Sequence, residues 1–140
     1  MILRLAYTFE HDTAGTLSAI SEMQHRLLTG KHQLHPLIDQ FIKALSELYV
    51  YYDSLAADAI TASFLAFIFT CNIEPRPDYL ATPYHPAGLN WANYIRTRNG
   101  LGEPLAWLTF SKEENPNTLT YVQAVPDIAH FIDYLNDVLR

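Results

Sequence analysis

The chain has 140 residues, 49% hydrophobic and 17% charged, with 15 acidic side chains against 9 Lys and Arg for a net charge of −6. That length and apolar fraction support one core of ordinary size and exclude global disorder. The acidic balance disfavours tracking a phosphate backbone, so no nucleic-acid partner is expected.

The lone cysteine, Cys71, cannot form an internal disulfide, which points to a reducing compartment. Met1 to Phe9 is too short, and too interrupted by Arg4, to be a secretory signal. Helical periodicity dominates the rest of the chain. Leu17, Ile20, Met23, Leu27 and Leu28 recur at helix spacing, and Gly30 supplies a stop. His35-Pro36 opens a second helix with Leu37, Ile38, Phe41, Leu45 and Leu48 on one face. Asp53 or Ser54 caps a third, which carries the most apolar run, Ala59 to Ile73. Asp58 and Glu74 bracket that run at less than the ~20 residues a bilayer requires. A core helix buried on most sides is expected, with no membrane span and a cytoplasmic location.

Pro75, Pro77, Pro83 and Pro86 mark residues 74–87 as a loop. Residues 88–97 read as another helix, broken by Asn99-Gly100-Leu101-Gly102. Residues 105–110 are too few for periodicity to separate helix from strand, and residues 111–117 form a polar loop. The last helix begins near Pro126-Asp127 and is expected to bury Ile128, Phe131, Ile132, Leu135, Val138 and Leu139. It reaches Arg140 without a stop signal, as if cut off. The fold class predicted is all-α, one helical domain over residues 1–140 with six or so helices.

Several familiar chemistries are absent. Gly100-Leu101-Gly102 lacks the third glycine and preceding strand of a dinucleotide fingerprint, and there is no P-loop or nucleophile elbow. His32 and His35 have no third ligand at zinc-site spacing. Two acidic clusters remain, Glu10-His11-Asp12 and Asp133/Asn136/Asp137, whose oxygens suit a hard cation such as Mg²⁺. On spacing alone the favoured reading of both is solvated helix surface. Arg96 and Arg98, just before the break, can pair with a phosphate, or simply answer a helix C-terminus.

In order along the chain, these pieces resemble the trichodiene synthase family, the fungal class I sesquiterpene cyclases. The resemblance is carried by Tyr94-Ile95-Arg96-Thr97-Arg98-Asn99-Gly100-Leu101-Gly102-Glu103 with Trp107, and by Val125-Pro126-Asp127 leading to Tyr134-Leu135-Asn136-Asp137-Val138-Leu139. It spans essentially the whole chain but only the central part of a family protein. It implies a partial class I helical bundle around an apolar pocket. The implied reaction is Mg²⁺-dependent ionisation and cyclisation of farnesyl diphosphate, a prenyl diphosphate substrate. Residue by residue, Glu10 stands at the first position of the aspartate-rich motif, with Asp12 an extra carboxylate. Arg96 matches the diphosphate-binding arginine and Asn136 the first ligand of the second metal motif.

The motifs are degenerate. His11, Ala14 and Gly15 replace acids, and Arg140 stands where a hydroxyl ligand belongs. Little or no cyclase activity is therefore expected from this chain alone. Phe64, Phe67, Phe69, Trp91 and Trp107 are available to wall a pocket, although helical spacing favours plain core. The alternative is a non-catalytic helical remnant that binds a hydrophobic ligand or a protein partner. Self-association into a homo-oligomer would follow from an uncovered bundle face.

Overall fold

A computed structural model describes residues 11–83, 85, 87–88 and 90–139. Among them are seven α-helices, two 3₁₀ turns and no strand, so the chain is all-α. It divides into two compact units, Met1–Glu47 and Leu48–Arg140.

In the first unit, α1 (Thr13–Leu28) starts at Asp12, whose carboxylate accepts the Gly15 N–H at 3.1 Å. Its end has the paired bonds of a glycine stop: Lys31 N donates to Arg26 O at 2.9 Å and Gly30 N to Leu27 O at 3.3 Å, with Gly30 at φ +68°. Thr16, Ala19, Ile20 and Met23 form the buried stripe, while Leu28 is 87% exposed. The stripe therefore lies slightly further round the helix than the leucine spacing suggests. α2 (Pro36–Tyr51) buries Ile38, Phe41 and Leu45 as its spacing predicts. The His35 ring nitrogen accepts the Leu37 N–H at 3.2 Å, and the His32 carbonyl accepts from Arg26 at 2.9 Å. These two histidines organise the interhelical turn.

The second unit is built on α3 (Ser54–Ile73), capped by Asp53 as expected. By length and composition α3 can cross a membrane, but it packs against α5 and α6 with Ala56, Ala57, Ile60, Phe64 and Ile68 buried. Burial is one-sided rather than all round, since Leu55 is 50% and Phe69 40% exposed. The proline-rich stretch holds a short helix, α4 (Pro77–Ala81), because Pro77 sits at a helix start where its missing N–H is harmless. α5 (Trp91–Asn99) runs later than predicted and buries Ile95. The undecided stretch is helical, α6 (Gly102–Leu108). Two 3₁₀ turns, Thr118–Thr120 and Val122–Ala124, lead into α7 (Val125–Leu139).

The largest correction concerns α7. Its buried residues are Val125, Ala129 and Asp133, whereas Phe131, Leu135, Val138 and Leu139 are 65%, 43%, 82% and 75% exposed. The helix presents its small-residue side to α6, which it approaches so closely that a side chain on Gly102 would overlap the Ala129 carbonyl. Apolar spacing located the stripe but not the neighbour.

Candidate functional site

The corner between α5 and α6 is made by Gly100, Leu101 and Gly102. Leu101, at φ +57°, is the one non-glycine with positive φ among the described residues. The glycines serve a different need. Gly100 has an ordinary φ of −74°, yet a Cβ there would collide with the Asp133 carboxylate and the Arg96 guanidinium. A Cβ on Gly102 would strike the same carboxylate. Both positions are small so that Asp133 of α7 can reach the corner. Its Oδ1 accepts the Gly102 N–H at 3.2 Å, a donor that the start of α6 leaves without a helical partner.

Arg96 completes the arrangement. Its Nη2 donates to the Asp133 backbone carbonyl at 2.7 Å and lies 2.8 Å from Asp137 Oδ2, with Nη1 3.7 Å from Asp133 Oδ1. One guanidinium therefore joins the end of α5 to two successive turns of α7. The Arg98 guanidinium instead lies 3.8 Å over the Tyr94 ring and donates to the Tyr94 carbonyl at 3.3 Å. Spacing left the two arginines equivalent; packing separates them. Asn99 ties the corner to the end of α3 by donating to Glu74 Oε1 at 3.0 Å.

The bond to Asp137 raises the Arg96 pKa, with further help from the Asp137 and Asp133 charges and against partial burial. Asp133 is also pushed up, because burial of its carboxylate outweighs the lowering by Arg96 and by the Gly102 N–H. Beside it opens a cleft of about 260 Å³ lined by Thr97, Glu103, Val125, Ala129, His130 and Asp133. The site thus offers a cation held by two carboxylates beside a largely apolar cleft.

The other expected site residues each belong to their own unit. Glu10 lies outside the described residues. The Asp12 carboxylate is engaged as the cap of α1, and Asn136 is exposed on α7 between the two aspartates that hold Arg96. Among the described residues no three His, Cys, Asp or Glu side chains gather as a metal site. Asn136 offers a neutral amide oxygen and the Asp12 carboxylate serves the α1 cap, so neither is a Mg²⁺ site on its own. The aromatics do not form one wall either: Phe64 and Trp107 are core, each 6% exposed, while Trp91 is 38% exposed. Sequence reasoning missed the role of Asp133. The signal was present in Val125, Ala129 and Asp133, a four-residue rhythm of small and polar positions facing Gly-Leu-Gly.

No protein-family model matches the chain. Over 135 residues, 96% of this chain, it is 30% identical to terpene synthase BipA of Cochliobolus sativus, covering 41% of that protein. It is 35% identical over 133 residues to longiborneol synthase of Gibberella zeae, covering 91% of this chain and 39% of that one. It is also 30% identical over 122 residues to monoterpene synthase 25 of Postia placenta, covering 86% of this chain and 36% of the other. These relatives support a terpene synthase family. The chain spans about two fifths of their length.

Proposed function

We propose that the chain belongs with the fungal class I sesquiterpene cyclases of the trichodiene synthase type and that its Arg96 corner receives the diphosphate of a prenyl diphosphate, farnesyl diphosphate above all. The observation that carries this reading is Arg96 itself, drawn onto α7 by Asp133 and Asp137, the first of which also lines a cleft. Arginine is well suited to this role, because its planar fork pairs bidentately with phosphate oxygens and stays charged at any working pH. Mg²⁺, held by the residues the resemblance implies, would supply further positive charge to the diphosphate. This chain's own part is narrower. Arg96 binds and orients the anion, while Asp133 fixes the corner from which it reaches.

Metal binding is assigned, on the resemblance, to Asn136 with Glu10 and Asp12. With so few ligands the chain is expected to bind diphosphate better than it cyclises. Mg²⁺ with inorganic pyrophosphate should raise the melting temperature, as linkage requires, and Arg96→Gln should abolish the rise. No rise in the wild-type chain would remove the basis of the reading. Incubation with farnesyl diphosphate and Mg²⁺, read by gas chromatography, separates binding from turnover.

A second reading rests on the exposed side of α7. Phe131, Tyr134, Leu135, Val138 and Leu139 form an apolar surface that suits a non-catalytic module binding a protein partner or a second copy. A monomer at all concentrations in light scattering would count against the second copy.

A further inference from the structure

The Arg96 cation already has a carboxylate where an incoming anion would sit. Asp133 and Asp137 are one turn apart on α7 and both face Arg96, but they differ in freedom to move. The Asp133 side chain is 12% exposed and also holds the Gly102 N–H, so withdrawing it would strand a buried donor. The Asp137 side chain is 56% exposed, and Arg96 is its one partner among the described residues. It can swing into water without leaving a buried group unpaired, and an exposed ion pair of this kind is held weakly.

We propose that Asp137 is a positioning residue that occupies Arg96 in place of the diphosphate and yields it when the anion arrives, while Asp133 keeps its hold. This rests on Arg96 being the diphosphate contact. Affinity for the anion is then set by competition: part of the binding energy goes into displacing Asp137. The resting pair in turn keeps the guanidinium pointed at the site rather than folded back along α5, as Arg98 is.

The test measures inorganic pyrophosphate binding by calorimetry to the full chain and to Asp137→Asn, each in EDTA and in excess Mg²⁺. Removing the competing charge should tighten binding about tenfold in EDTA, the scale expected for losing one close opposing charge. The same direction should hold in Mg²⁺. Unchanged or weaker binding by Asp137→Asn in EDTA overturns the proposal, and so does weakening confined to Mg²⁺, which would make Asp137 a metal ligand instead. An Arg96→Lys background supplies a second measurement, since a shorter cation that no longer reaches Asp137 should erase the gain from Asp137→Asn. If that gain persists there, Asp137 does not act through residue 96. Absence of pyrophosphate heat from every protein overturns the diphosphate reading and this inference with it; heat from wild type with no gain in Asp137→Asn overturns the inference alone.

Discussion

Two aspartates anchor opposite ends of the second unit, and their pKa values move in opposite directions. Asp53 caps α3 through the Ala56 N–H at 2.9 Å and also accepts the Thr118 hydroxyl. Donors surround it, and the Thr118 bond above all lowers its pKa. That end is closed by aromatic packing: Tyr121 stacks on Phe110 with centroids 4.2 Å apart and meets the Trp107 edge at 6.1 Å. The Tyr52 hydroxyl donates to the Leu108 carbonyl across the same packing at 3.0 Å. Asp133 likewise takes a backbone N–H and a cation, yet burial wins and its pKa rises. One end is closed by a helix cap and aromatic packing. The other holds a carboxylate in a setting that disfavours its charge, beside an arginine whose second partner can leave. Aromatic packing is concentrated at the first end and an exposed ion pair at the second.

The largest effect is expected at the aromatic end, where the Trp107 ring is buried. Trp107→Ala should cost about 3–5 kcal/mol in urea unfolding, as large aromatic truncations in cores do; a cost below ~1 kcal/mol would mean that the aromatic end is not the anchor. Gly102→Ala comes next, because its methyl meets the Ala129 carbonyl and the Asp133 carboxylate. A loss of about 1–3 kcal/mol is expected from that overpacking, together with a diminished pyrophosphate response in thermal shift. Asp53→Ala removes a helix cap and should cost ~1 kcal/mol with no change in that response. If the Asp53 variant also abolished the response, the two ends would not be separable.

Acid titration sharpens the contrast. Asp53 has a depressed folded pKa, so its contribution is present above the unfolded value of about 3.8 and is lost as pH falls through the lower folded value. Asp133 has a raised one, so its ionisation penalises the fold above that value and the penalty is relieved as pH falls through it towards 3.8. Asp53→Asn should therefore flatten the acid limb of the stability profile below about pH 4, and Asp133→Asn should remove the small loss of stability that sets in as pH rises from there. Urea midpoints across the range read both, and slopes of the same sign for the two aspartates would contradict the opposition between the ends. The smallest effect is expected from Val138→Ser on the exposed side of α7, within ~0.5 kcal/mol. Reduced light scattering in that variant would show that the apolar face drives self-association.

The helical class, the Asp53 cap and the Gly30 stop were legible in the sequence, because each depends on neighbours within a turn. So were the break at Asn99-Gly100-Leu101-Gly102 and Arg96 beside it. The buried side of α7 was not. Phe131, Leu135 and Val138 form a convincing apolar stripe, while the side in contact is set by how closely Gly102 lets α6 approach Ala129. Nor could spacing pair Arg96 with Asp133 and Asp137, which lie 37 and 41 positions away. Spacing rules describe one helix at a time, and this site is made by two.

The placement of the two tryptophans gives each end its own optical reporter. Trp107 is buried against Tyr121, whereas Trp91 is half-exposed, stacked on Tyr94 at 5.4 Å and bonded to the Tyr79 hydroxyl at 3.1 Å. Their emission should separate into a blue component shielded from iodide and a red component quenched by it. Because Trp91 shares α5 with Arg96, an anion arriving at the corner should alter the red component and leave the blue one as it was. Unfolding of the aromatic end should do the reverse, so a single fluorescence spectrum distinguishes a site that has exchanged its partner from a core that has come apart.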